Sequence, residues 1–196
     1  MDMHNTIREA KQRLRDQVRA TLRQIPTRER AIFSAQARAL LKGQAQWRAA
    51  QSILFFAPLP EELDVWPLLA EALAAGKRVS LPRFVAAAQG YEACQVLDPA
   101  ADLEVGQFGI REPRGRCARF PSDRLDLILV PGVAFDLQGG RLGRGKGYYD
   151  QLLGALRGTT CGVAFDQQFL DEIPMAPHDI RLDCMLTPTR WVVLKA

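Results

Sequence analysis

An α/β fold is predicted for this 196-residue chain, as a three-layer α/β/α arrangement with a mostly parallel central sheet. Three observations carry the prediction. Ser52–Ala57 and Leu125–Val130 are apolar runs of the kind found in strands buried on both faces. Strand, helix and strand alternate between 52 and 81, the unit that builds a parallel sheet. A long glycine-rich loop then leaves one strand and opens a helix, at the sheet edge where doubly wound folds bind ligands. The chain is 47% apolar and 24% charged, which is globular and excludes disorder. With no repeat, linker or low-complexity block, one domain over residues 1–196 is expected.

The first helix is expected from Asn5 to Gln24. At roughly 100° per residue, Ile7, Leu14, Val18, Leu22 and Ile25 share a stripe, with Lys11 inside it and Arg15 at its edge. Pro26 ends the segment, and Thr27 can cap a second helix reaching Lys42. The strand Ser52–Ala57 leads into the turn Pro58-Leu59-Pro60. Asp64 can cap a helix through Ala75, which Gly76 stops. Lys77–Leu81 is the next strand, left at Pro82-Arg83. Another strand is expected near Tyr91–Leu97, and Phe108–Pro113 reads as loop. After Leu125–Val130 comes the glycine-rich loop through Gly147, then a helix over Tyr148–Leu156 and a strand over Thr159–Phe165. A short helix near Gln167–Asp171, a loop over Ile173–Asp183, and strands at Cys184–Leu186 and Trp191–Leu194 complete the order. Loops after Ala57, Val130 and Phe165 leave carboxyl ends of strands, where a ligand would sit.

The net charge of +4 suits an anionic ligand such as a nucleotide and is weak grounds for nucleic acid. Cys94, Cys117, Cys161 and Cys184 form no C-x-x-C pair, and the histidines are His4 and His178, which argues against zinc. Idle thiols in a reducing compartment are the simpler reading. The N-terminal segment is charged from Arg8 to Arg23, and no apolar run nears the ~20 residues of a membrane span. A soluble, cytoplasmic protein is expected.

The informative tract is Gly140-Arg141-Leu142-Gly143-Arg144-Gly145-Lys146-Gly147-Tyr148-Tyr149-Asp150. Glycines let backbone approach an anion, a helix N-terminus supplies N–H groups, and three cations crowd the loop. The spacing fits the P-loop pattern G-x-x-x-x-G-K until its last position, where Gly147 replaces the magnesium-binding hydroxyl. A polyphosphate site of another design is favoured over a P-loop or a merely flexible basic turn. Such a design needs carboxylates for Mg²⁺. Asp150 lies in the first helical turn, where a favourable helix-dipole interaction is an equal reading. Asp179, in Pro177-His178-Asp179, is a second candidate, or a turn residue. Lys11 must snorkel or meet an anion, and with Arg15 it could present two charges to phosphates. Glu61 and Glu62 follow a strand and turn. Either could accept from the amino-pyrimidine edge of a pterin, or simply precede the next helix.

Together these pieces resemble the 5-formyltetrahydrofolate cyclo-ligase (methenyltetrahydrofolate synthetase) family. The long signature is L-I-L-V-P-G-V-A-F-D-L-Q-G-G-R-L-G-R-G-K-G-Y-Y-D, from Leu127 to Asp150. Supporting it in order are Lys11-Gln12-Arg13-Leu14-Arg15, P-L-P-E-E-L-D from Pro58, Leu81-Pro82-Arg83, Phe108-Gly109-Ile110-Arg111-Glu112-Pro113 and Pro177-His178-Asp179. Residues 86–90 and 114–121 match nothing assignable. The resemblance implies ATP contacts from Lys11, Gln12, Arg13, Leu14 and Arg15, and from Arg141, Leu142, Gly143, Arg144, Gly145, Lys146, Gly147, Tyr148 and Tyr149. It implies folate contacts from Ala57, Glu62 and the run Arg144, Gly145, Lys146, Gly147 and Tyr148. Arg144, Lys146 and Tyr148 become the candidate catalytic residues, and Asp150 and Asp179 the Mg²⁺ ligands.

The implied reaction converts 5-formyltetrahydrofolate, polyglutamylated or not, with ATP into 5,10-methenyltetrahydrofolate, ADP and phosphate. A monomer or weak dimer is expected, with no nucleic-acid or membrane partner. Two rivals compete. A sugar-phosphate isomerase or CoA-transferase-like enzyme on a similar fold would not consume ATP. A nucleic-acid module would bind with a steep salt dependence.

Overall fold

The computed structural model describes residues 3–106, 109–177 and 179–194, with side chains from Ile7 onward. Phe108 and His178, which belong to two of the sequence motifs, lie outside the described residues.

Three helices come first: α1 (Met3–Arg23), α2 (Thr27–Lys42) and α3 (Ala45–Ala49). The stripe of α1 buries Val18 and Leu22, with Ile25 just beyond the helix. Thr27 is the first helical residue of α2; Pro26 holds the N-cap position, without a side-chain cap.

The central sheet then assembles from β1 (Ser52–Leu54), β2 (Arg78–Val85), β3 (Gly90–Val96), a strand at Leu127–Val130, and strands at 159–163, 184–186 and 191–193. Between them lie α4 (Trp66–Ala74), the short α5 (Pro99–Asp102), β4 (Leu103–Val105) and β5 (Arg111–Pro113). The Leu127–Val130 strand is β6. The glycine-rich tract adds a small hairpin of β7 (Ala134–Phe135) and β8 (Arg141–Leu142) before α6 (Tyr148–Ala155). β9 (Thr159–Val163), β10 (Cys184–Leu186) and β11 (Trp191–Val193) close the order.

The seven strands run in the order β11-β10-β9-β6-β1-β2-β3. The five from β10 to β2 pair in parallel, and the two edge strands are antiparallel. Alternation along each strand divides the core. Ile53, Leu127, Leu129, Cys184 and Leu186 pack beneath α1, α2, α3 and α4. Leu54, Ile128, Val130 and Met185 face the other way, against Leu152, Leu153 and Leu156 in and just beyond α6. These are the three layers.

Several boundaries differ from the sequence expectations. β2 continues through Pro82 to Val85 instead of leaving at Leu81. The Ser80 carbonyl bonds Phe55 N–H on the β1 side, so Pro82, two residues on, turns the same way. The pairing with β1 has ended at Leu54 and Ser80, so the N–H that proline lacks is not needed by a ladder. The helix expected from Asp64 starts at Trp66, with Val65 at the N-cap. Asp64 instead accepts from Trp66 N–H at 3.0 Å. Arg111–Pro113, expected as loop, pairs with β4, and the helix expected over Gln167–Asp171 is a single tight turn at Asp166–Gln168. All four cysteines are buried and unlinked. Among the described residues no helix is long and apolar enough to cross a membrane.

Candidate active site

Strand order reverses between β1, which leads outward to β2, and β6, which leads the other way to β9. A crevice therefore opens beyond the carboxyl ends of β1 and β6. Three chain segments converge on it: the turn after β1, the loop after β6, and the stretch after β9.

The loop after β6 is built to hold its basic residues over this crevice. Asp136 is fully buried, and its carboxylate accepts from the N–H groups of Gln138, Gly140 and Ile173 at 2.9, 2.7 and 2.7 Å. Gln168 donates to the carbonyls of Gly132 and Val133 at 2.8 and 3.0 Å and accepts from Phe165 N–H at 2.8 Å. These bonds clamp the loops after β6 and β9 together. Gly145 and Gly147 have φ of +103° and +72°, a left-handed backbone that side chains resist. Gly147 is also the N-cap of α6, which leaves the helix's first N–H groups open for an anion.

The loop side chains divide into two kinds. Arg144 and Lys146 are exposed, as expected for phosphate ligands. Arg141 is buried, its side chain only 2% exposed, so two of the three cations crowded into the loop face solvent and the third does not. It donates to Asp150 Oδ1 at 2.8 Å and to the Pro131 carbonyl at 3.2 Å, with Tyr149's ring 5.8 Å from its guanidinium carbon. Its Nε has no partner. Leu142 is core, and Gly143 contributes its carbonyl. Burial pushes the Tyr149 phenol well up, with Glu62 and Tyr91 adding to the shift.

Helix α1 supplies the opposite wall. Arg15 is 8% exposed and donates from Nε to the Gly143 carbonyl at 2.8 Å. Burial lowers its pKa, and Arg19 lowers it further. Lys11 does not snorkel: it pairs with Asp179, with 12% and 8% of the two side chains exposed. The anion it meets belongs to the chain. Leu14 packs on the core, and Gln12 is exposed. Arg13 is 82% exposed and lies roughly 200° around the helix from Lys11. Lys11 and Arg15 thus face the crevice, and Arg13 turns away from it.

In the turn after β1, Ala57 is half-buried. Glu62 accepts from Leu59 N–H at 3.0 Å and from Arg144 Nη2 at 2.9 Å, and Glu61 meets the same nitrogen at 3.2 Å. Burial raises the Glu62 pKa, against the pull of Arg144. A small cleft lies here, lined by Arg19, Leu22, Glu61, Glu62, Gly132, Val133, Arg144 and Gln168. Tyr148 stands apart, its ring 5.3 Å from that of Phe84 and 5.9 Å from that of Tyr91.

Asp150 and Asp179 hold different cations, Arg141 and Lys11. Asp179 also accepts from Ala176 N–H at 2.6 Å and so fills the turn role as well. Among the described residues no three His, Cys, Asp or Glu side chains group as a metal cage. Mg²⁺ takes one or two carboxylates with water and phosphate oxygens, so these two carboxylates fit that ion when a polyphosphate supplies the remainder. The Asp136 carboxylate is occupied by backbone donors. Sequence reasoning missed Arg19, Tyr91, Gln168 and Glu112 as neighbours of the site. None stands in a recognisable motif except Glu112.

The chain is similar to known proteins of one family. The model of the 5-formyltetrahydrofolate cyclo-ligase family matches residues 7–188. A probable 5-formyltetrahydrofolate cyclo-ligase of Schizosaccharomyces pombe is 31% identical over 163 residues, 75% of this chain and 79% of the relative. The 5-formyltetrahydrofolate cyclo-ligase of Escherichia coli is 33% identical over 145 residues, 72% and 80% of the two chains. The solved structure of Aquifex aeolicus 5,10-methenyltetrahydrofolate synthetase superposes with a TM-score of 0.85 at 34% identity, over 95% of this chain and 93% of that one. None of these relatives is a sugar-phosphate isomerase or a CoA-transferase. The chain belongs to the 5-formyltetrahydrofolate cyclo-ligase family.

Proposed function

We propose that the chain catalyses the ATP-dependent cyclisation of 5-formyltetrahydrofolate to 5,10-methenyltetrahydrofolate, releasing ADP and phosphate. The observation that carries the reading is the contact of Arg144 with Glu62 across the strand-order reversal. It joins a phosphate-type loop to a carboxylate suited to a pterin, in one crevice. In this reading the formyl oxygen attacks the γ-phosphate, and N10 then captures the activated carbon as phosphate leaves. Phosphoryl transfer of this kind is mainly positioning and charge stabilisation.

Each residue has a part in that scheme. Arg144 and Lys146, exposed on the loop, neutralise the transferring phosphoryl group. Lys11 and Arg15 face the polyphosphate from α1. The N–H groups behind Gly147 add a partial positive charge. Tyr148 lies against the folate ring, and Ala57 leaves room beside Glu62. Arg141 acts by holding Asp150, since its guanidinium is buried. Mg²⁺, taken up by Asp150 and Asp179 together with phosphate oxygens, would supply Lewis-acid stabilisation. The reading extends to a single domain over 1–196, a cytoplasmic monomer or weak dimer, folate with or without its polyglutamate tail, and no nucleic-acid or membrane partner. The buried, unlinked thiols suit a reducing compartment.

The test is methenyl-folate absorbance with 5-formyltetrahydrofolate, with and without MgATP. Absorbance that grows only with ATP is the expected result. No growth under either condition would sink the reading.

A further inference from the structure

The site as described leaves one buried acid unaccounted for. Glu112, at the centre of β5, is 6% exposed. Its Oε2 accepts from Phe84 N–H at 3.0 Å. Its Oε1 has no partner, and with Arg141 Nε it is one of two such buried side-chain atoms among the described residues. A buried carboxylate oxygen without a hydrogen bond is unfavourable, so its persistence calls for an explanation.

Its position in the fold supplies one. Phe84 turns its N–H towards the β1 side of β2, as Ser80 and Pro82 turn their backbone groups, and β1 has already ended. Glu112 therefore closes the open edge of β2, on the stretch that β1 no longer covers. Rings stand around it. Phe84 lies 5.7 Å from Tyr91 and 5.3 Å from Tyr148, and Tyr91 lies 5.7 Å from Tyr149. Glu112 is close enough to Tyr91 to raise its phenol pKa, second to burial. Each oxygen of Glu62 already accepts one bond, whereas Glu112 Oε1 accepts none. A panel of rings beside one buried acceptor that lacks a donor matches a flat heterocycle that carries N–H donors.

We propose that Glu112 is a specificity-determining residue of the folate pocket, its Oε1 accepting one N–H of the amino-pyrimidine edge of the pterin. The proposal rests on the folate reading above and adds to Glu62 a second carboxylate, contributed by the small β4–β5 sheet. Binding of the pterin then satisfies the orphaned oxygen, and the stability lost in the empty protein returns as affinity.

The experiment is equilibrium binding of 5-formyltetrahydrofolate to the full chain without ATP, for wild type, Glu112→Gln and Glu112→Met. Glutamine keeps a carbonyl for Phe84 N–H and turns an amide N–H₂ towards the pterin donor; methionine keeps the volume alone. Each variant should bind folate roughly tenfold more weakly or worse, the effect of losing a hydrogen bond to a buried charged group. The KM for ATP should stay within about twofold, since the phosphate contacts lie elsewhere. A pterin lacking its 2-amino group should bind wild type more weakly and lose nothing further in the variants. Folate affinity unchanged in folded Glu112→Gln overturns the proposal, and so does an equal penalty for the altered pterin in every protein. If methionine prevents folding, glutamine decides. Absent folate binding in wild type itself marks failure of the folate reading, and the proposal falls with it.

Discussion

Arg144 Nη2 lies 2.9 Å from Glu62 Oε1, across a separation of 82 residues. The cation expected to hold phosphate and the carboxylate expected to hold pterin therefore neutralise each other. Lys11 with Asp179 and Arg141 with Asp150 repeat the pattern. Ligands that enter this crevice must exchange partners with groups already paired.

Lys146→Ala should weaken ATP use with little effect on folding, because Lys146 is exposed. Loss of one charge-assisted phosphate contact should amount to ~1.5–3 kcal/mol. Arg144→Ala should lose as much for ATP and should also raise the KM for folate, since it releases Glu61 and Glu62. Steady-state kinetics with each substrate limiting, beside thermal melts, will check both. Wild-type activity at limiting ATP would remove the phosphate role.

Lys11→Met would be expected from the sequence to leave the fold at least as stable, since it removes a charge from an apolar stripe. The pairing with Asp179 reverses that expectation. The variant should lose roughly 1–3 kcal/mol by leaving a buried carboxylate without its cation. Pairing it with Asp179→Asn should restore part of the loss, as groups in one ion pair are non-additive. Denaturant unfolding of the two single variants and the double variant measures the coupling. Strict additivity would show that the pair does not stabilise the protein.

Magnesium dependence separates metal ligands from structural acids. Asp150→Asn and Asp179→Asn should each lower turnover by ~10²-fold or more and shift the magnesium titration to higher concentration. Nucleotide binding should survive in part through the cations. An unaltered titration in either variant would leave that residue its role as partner of Arg141 or Lys11.

Acid sensitivity should have a source at the foot of the sheet. Asp126 accepts from Ser52 Oγ at 2.8 Å and from the N–H groups of Gln51 and Ser52, each at 2.9 Å. The Ser52 hydroxyl first, then these backbone donors against burial, holds its pKa below 3.8. A depressed carboxyl contributes stability that is present above its unfolded value and is lost as pH falls through the folded one. Asp126→Asn should therefore flatten the loss of stability below about pH 4, in melts recorded against pH. Its exposure makes the effect small.

Much of this architecture is legible in the residues because burial writes itself as pattern. The stripe of Val18, Leu22 and Ile25 and the runs forming β1, β6 and β9 all occupy the core. The glycine-rich tract does open a helix over the crevice. What escapes reading depends on partners distant in the chain. Pro82 stays in its strand because β1 has ended beside it. Arg141 looks like its neighbours Arg144 and Lys146, and only the placement of Asp150 and Pro131 reveals it as buried. Glu112 sits in an irregular tract whose pairing with β4 no periodicity announces. Folding places Asp150 and Asp179 against separate cations; the sequence could only nominate them.

The two tethers of α1 also set a sequence of events in time. Lys11 reaches Asp179 over 168 residues, and Arg15 reaches Gly143 over 128. A chain made from its N-terminus presents this helix long before either partner exists. β1, β2, β3 and β6 can pair while Asp179 is still unmade, and Val18, Leu22 and Ile25 can settle on them. The Arg15 tether can form once the loop after β6 is made, and the Lys11 tether only when Asp179 follows β9. The wall that α1 lends the crevice is therefore completed only after β9, and a product interrupted before Asp179 would hold most of the sheet without the Lys11 tether.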